Sequence, residues 1–145
     1  MQNRIKVILS RPIYFWSFAD YVEGAQNPIQ NWYASELSEA ARFQFDSVLK
    51  NTAKIQNQLQ WGGSKLLKGE PKKYGIWQLD FNADGRQYRV LGVFQPGHRA
   101  VLLIGCYHKG RVYTPHNALE TACKRAKKLI EKRATTIDRQ IDDTL

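Results

Sequence analysis

The sequence predicts an α+β domain: a small twisted antiparallel sheet, one N-terminal strand and three sequential C-terminal strands, with a helical hairpin before and a basic helix after. Three observations predict it. Between Gly75 and His108, three apolar runs are separated by the turn sequences Asn82-Ala83-Asp84-Gly85 and Gln95-Pro96-Gly97-His98, short enough to force antiparallel pairing. From Ala41 to Leu59, apolar residues recur at three- and four-residue steps. After Pro115, a stripe of Ala, Cys, Leu and Ile winds through a run of Lys and Arg on a helical period.

The first strand is expected in one of two β-rich runs, residues 5–9 or 13–18, divided by Arg11-Pro12. The second, Ile13-Tyr14-Phe15-Trp16-Ser17-Phe18, is favoured because it is richer in aromatics and nearer the next element. Asn27 before Pro28 supplies a cap and a pre-set first residue for a short helix reaching about Leu37. Ser38 caps a second helix, whose Ala41, Phe45, Val48, Leu49, Thr52, Ile55 and Leu59 make one core-facing stripe. Gly62, Gly63, Gly69 and Pro71 break the chain before the sheet, and the GxxxxGK[ST] pattern of a phosphate-binding loop is absent. Strands follow at about 75–81, 86–95 and 100–108. Thr114 is expected to cap the last helix, with Pro115 in its first position, running to about Arg133. The polar tail, about 134–145, frays or extends that helix. Trp16, Trp32, Trp61 and Trp77 are assigned to the core. A single domain spans residues 1–145, with residues 1–12 as an N-terminal extension.

The formal charge is +9 and lies mostly in one region, because residues 86–133 hold eleven Lys/Arg against two Asp/Glu. That asymmetry fits a surface facing phosphate, and equally a solvated helix face. Cys106 and Cys123 lack metal-ligand spacing and read as small buried hydrophobes in a reducing compartment. No run approaches a membrane span, so a cytoplasmic protein without a membrane partner is expected.

The ordered pieces Asn27-Pro28-Ile29 with Trp32, Lys65-Leu66-Leu67, Gly75-Ile76-Trp77-Gln78-Leu79, Gln87-Tyr88-Arg89-Val90-Leu91, the apolar strand from Val101 to Lys109, Thr114-Pro115, and Ala122 with Ala126 resemble the phage-derived Gp49-like, HigB-type branch of the RelE/HigB toxin superfamily. The resemblance covers roughly residues 27–130. The family's Glu-Leu-Arg is Gln78-Leu79-Asp80 here, and its Lys-Lys pair is Lys109-Gly110, each removing a cation.

That resemblance implies the toxin of a type II toxin–antitoxin pair: a metal-independent endoribonuclease cutting mRNA on the ribosome, silenced by a cognate helix-turn-helix antitoxin. RNA brings its own nucleophile, the 2′-hydroxyl, so such an enzyme needs only a base, a phosphate clamp and an acid. No cofactor is expected, since three scattered histidines without paired carboxylates make no credible metal cluster.

Arg89 aligns with the Arg of the family's Tyr-Arg-Val strand and is the first candidate to stabilise phosphate, its alternative being a cross-strand pair with Asp80. Lys109 is the second, as phosphate ligand or base, and otherwise an ordinary strand-end lysine. His108 and Tyr107 complete the catalytic candidates as proton-transfer groups, although strand alternation sets Tyr107 with Lys109 on one face and His108 on the other. Arg86, Arg99, Arg111, Tyr113, His116, Lys124, Lys127 and Lys128 are the RNA-binding candidates, by charge, stacking or proximity to the same loop. Two other readings stay open: a catalytically silent or ParE-like relative that binds a protein target, and a basic nucleic-acid-binding accessory protein.

Overall fold

A computed structural model describes residues 14–56, 65–66, 73–109 and 111–141 of the chain. Its elements in chain order are β1 (Ser17–Val22), α1 (Pro28–Glu36), α2 (Glu39–Ala53), β2 (Lys65–Leu66), β3 (Trp77–Ala83), β4 (Arg86–Gln95), β5 (Arg99–Lys109), β6 (Val112–Thr114), α3 (Ala118–Ile130) and β7 (Thr135–Arg139).

Local chemistry accounts for the helical hairpin. The Asn27 side chain accepts from Gln30 N at 2.9 Å and Pro28 occupies the first turn of α1. Ser38 Oγ accepts from Ala41 N at 3.0 Å and opens α2, whose Ala41, Phe45, Leu49, Thr52 and Ala53 are buried. Ile55 falls just past the helix end, and Leu59 and Trp61 lie outside the described residues.

Turn chemistry also sets the central hairpins. Asp84 and Gly85 both have positive φ, 55° and 72°, as a two-residue type I′ turn requires, and join β3 to β4. Pro96, Gly97 and His98 join β4 to β5, with Gly97 and His98 at positive φ. Strands 3, 4 and 5 are therefore sequential antiparallel neighbours.

The α+β class holds, but the sheet is mixed. Its order is β2-β3-β4-β5-β1-β7, with β6 beside the far end of β5. β1 runs parallel to the start of β5, Ser17 opposite Arg99 through Asp20 opposite Leu102, and β7 closes antiparallel on β1. The first strand begins later than the favoured aromatic run and continues through Asp20, a residue strands normally disfavour. Asp20 is tolerated because Arg139 Nε donates to it at 2.7 Å and Asn27 Nδ2 at 3.1 Å. The run at residues 5–9 lies outside the described residues.

Two expectations near the C-terminus are corrected. Thr114 does not cap α3; it pairs with Tyr107 in β6, the added ladder outcompeting the cap, and α3 starts at Ala118 after Asn117, whose side chain makes no capping bond. Thr135–Arg139 of the tail form β7 in place of the expected fraying or continued helix, and residues 142–145 lie outside the described residues. Lys132 at φ 59° ends the helix, with Lys132 N bonded to Leu129 O and Arg133 N to Lys128 O, the Schellman pattern without its usual glycine.

The sheet separates two apolar layers. On one face α1 and α2 bury Trp32, Phe45, Trp77, Leu79, Phe81, Tyr88 and Leu102; on the other α3 buries Ala118, Ala122, Cys123 and Ala126 against Tyr21, Leu91, Leu103 and Cys106. The pairing slips by one residue within the β4/β5 ladder: Leu91 faces Ile104, yet Gly92 faces Leu102, leaving Leu103 as an extra residue. Leu103 and Ile104 both pack on the α3 side, Gly105 faces Trp32 on the hairpin side, and Cys106 returns to the α3 side.

Candidate functional site at the strand ends

Past the bulge, alternation sets which side chains meet. Asp80, Arg89 and Cys106 form one cross-strand row on the α3 face, and Gln87, His108 and Tyr113 form the next. Arg89 lies between them. Its Nη1 is 3.1 Å from His108 Nε2 and donates to Tyr113 Oη at 3.2 Å, with the guanidinium carbon 5.6 Å from the centre of the Tyr113 ring. His108 and Tyr113 meet edge to face, 4.7 Å between centroids. Since an arginine can only donate, His108 Nε2 accepts, which assigns its neutral form a proton on Nδ1.

Asp80 Oδ1 stands 3.3 Å from Arg89 Nε, but that nitrogen makes no hydrogen bond, so charge rather than direction holds the pair. The amides of Gln78 and Gln87 reach the two Asp80 oxygens at 3.4 Å. Both partners are mostly covered, at 14% and 22% side-chain exposure. Beneath them, burial pushes the Cys106 thiol up to about 12 against the opposing pull of Arg89, keeping it a neutral hydrophobe.

The remaining candidates divide. Tyr107 lies on the opposite, hairpin face, where Arg86 lies over its ring at 4.5 Å, so it does not join Arg89. Lys109 pairs through its backbone with Val112; its side chain lies outside the described residues. His116 is exposed in the turn before α3, without a hydrogen bond or ring contact among the described residues. Arg99 lies at the other end of β5, bound to Asp138 at 2.6 Å and Thr136 at 3.0 Å. Lys128 is neutralised by both Glu23 oxygens at 3.0 Å, and Lys124 is 3.8 Å from Glu120. Arg86, Arg111 and Lys127 are exposed and form no ion pair among the described residues. Arg125, on the face expected to be solvated, turns inward instead. It donates to Leu103 O at 2.7 Å, and burial lowers its pKa, opposed by Tyr21 and Glu23.

Sequence reasoning overlooked the β6 hairpin that brings Tyr113 to His108; the Gly110 between two β-prone runs was the available signal. It also overlooked Arg139, which pairs with Asp20 and lies against the Tyr33 and Phe45 rings at 5.1 and 5.6 Å. A separation of 119 residues leaves no local signal for that pair.

Residues 35–127 match the family model described as "Phage derived protein Gp49-like (DUF891)", nearly two thirds of the chain. The chain belongs to the Gp49-like family. No curated protein and no solved structure matches it. The Gp49-like region contains the whole Arg89 cluster, from Asp80 to Tyr113, whereas β1 and β7 lie outside it. No helix among the described residues is long and apolar enough to cross a membrane.

Proposed function

We propose that this Gp49-like protein is the toxin of a toxin–antitoxin pair and arrests growth by cutting mRNA on the ribosome without a metal ion. The observation that carries the reading is the convergence of His108 Nε2 and Tyr113 Oη on one guanidinium nitrogen of Arg89. Those three groups supply the three roles RNA cleavage needs. Arriving phosphate draws the guanidinium to its non-bridging oxygens, a planar bidentate fit. His108 Nε2, released from Arg89, takes the 2′-hydroxyl proton as that oxygen attacks phosphorus. The P–O5′ bond breaks, leaving a 2′,3′-cyclic phosphate, and Tyr113 protonates the departing 5′-oxygen. Asp80 balances the charge of Arg89 before phosphate arrives. A helix-turn-helix antitoxin in the cytoplasm is the expected silencing partner.

The covered Asp80–Arg89 pair favours one rival, a catalytically silent relative in which Arg89 is structural. Inducing the protein in growing bacteria, following translation and mapping new RNA 5′ ends decides between them. Arrest with new ends that vanish in Arg89→Ala and His108→Ala, both still folded, supports the nuclease. Neither arrest nor new ends supports the silent relative, and arrest without new ends supports a toxin that acts on a protein target.

A further inference from the structure

The sheet end has a second arrangement on its other face. Arg86, which opens β4 beside the Asp84-Gly85 turn, lays its guanidinium over Tyr107 at 4.5 Å. Tyr107 meets Tyr88 edge to face at 6.1 Å, and Tyr88 stacks on Phe81 at 5.0 Å with the rings 10° apart. Tyr88 and Phe81 are buried, so the row is anchored in the core and ends outward in the half-buried Tyr107 and exposed Arg86. The turn beneath is braced where Ser38 Oγ donates to Asp84. Arg99, Lys128 and Arg139 each face a carboxylate, whereas Arg86 has no ion pair among the described residues. A planar cation 4.5 Å over an aromatic ring, exposed and without an ion pair among the described residues, is suited to stack a nucleobase.

We propose that Arg86 and Tyr107 form a nucleobase subsite on the sheet face opposite Arg89, holding a base next to the bound phosphate. The subsite rests on the RNA-cleavage reading and names a further contact to the same substrate. Tyr107 and His108 are consecutive residues pointing to opposite faces, so a single strand crossing the sheet end meets Arg89 and His108 on one side and the stacking pair on the other. Stacking accepts any base, so the subsite sets where the strand lies rather than which sequence is cut.

The test uses the full chain and a short single-stranded 2′-O-methyl RNA, which cannot be cleaved because its nucleophile is blocked, together with copies carrying one abasic position each. Fluorescence anisotropy of the intact protein should show one position at which base removal weakens binding on the order of 10-fold. In Arg86→Lys, which keeps the charge and loses the plane, and in Tyr107→Leu, that position should become indifferent to base removal while the salt dependence of Arg86→Lys is retained. Equal loss at every position in wild type, or an Arg86→Lys profile identical to wild type, overturns the subsite. If such a result accompanies RNA cleavage that still requires Arg89, the nuclease reading survives and only the subsite falls. If the wild-type protein neither binds the probe nor cleaves RNA, both fall together.

Discussion

Arg89 serves two claims, charge partner of Asp80 and clamp for phosphate, and single substitutions separate them. Arg89→Ala should abolish growth arrest, losing on the order of 10²-fold or more in rate, while thermal melting reports a stability cost of about 1–2 kcal/mol. Asp80→Asn should cost similar stability but keep most of the arrest, since the clamp remains. If arrest instead tracks melting temperature in both variants, Arg89 is structural. Cys106 gives an independent residue-scale check. Its folded pKa of about 12 lies above the unfolded value of about 8.5, so between these pH values the unfolded chain binds fewer protons. Stability should therefore fall as pH rises through this window, by up to about 1.4 kcal/mol per pH unit, and not change from this source below it. The Tyr21 and Tyr33 hydroxyls, raised mainly by burial to about 12, add to the decline above about 10. Melting curves at pH 8 and 10, with Cys106 alkylated at pH 8 only once the protein unfolds, check this.

The elements meet where there is no room to spare. A methyl group at Gly105 would come within 2.3 Å of the Trp32 ring, so Gly105→Ala should separate α1 from β5 and destabilise by about 1–3 kcal/mol in urea titration. Arg139→Ala should cost more, about 3–5 kcal/mol, because it leaves Asp20 charged and 5% exposed beneath β7. The contrast between these elements shows how legible the fold was. Asn27-Pro28, Ser38 and Asp84-Gly85 act on neighbours within a few residues, so the hairpin of helices and the three sequential strands could be read from the chain. β7 and the late start of β1 could not, because the charge of Asp20 is balanced in its strand by Arg139, which is remote in sequence. Of the site, Arg89 and His108 were legible as chemistry. That Tyr113, rather than Tyr107, joins them depends on β6 and on an extra residue in β5, and the latter carries no composition signal.

Charge at the scale of the whole molecule is less available than the +9 total suggests. On the basic helix Lys128 is engaged by Glu23 and Arg125 is turned inward, so its face is not a uniform phosphate track, and off the helix Arg99 and Arg139 are likewise engaged by carboxylates. If Arg86, Arg111 and Lys127 are the main free contacts, together with Arg89, single-stranded RNA affinity should fall with a log–log salt slope of about −2 to −3. Lys124→Ala and Lys128→Ala should leave that slope nearly unchanged, and Arg111→Ala should reduce it by about 0.7. A titration of binding against salt for the four proteins measures it; a slope that collapses in Lys128→Ala would return the interface to the helix.

The single unmatched residue at Leu103 acts as a phase shifter. Strict alternation by twos from Val101, with Leu103 kept but no bulge, would turn Tyr107 toward α3 and His108 toward the helical hairpin. The bulge thus decides which reagents stand beside the arginine, leaving the composition of the strand end untouched. A lineage built on this scaffold can change its chemistry by smoothing out a bulge in the middle of a buried strand, out of sight of any comparison that looks only for altered side chains at the site.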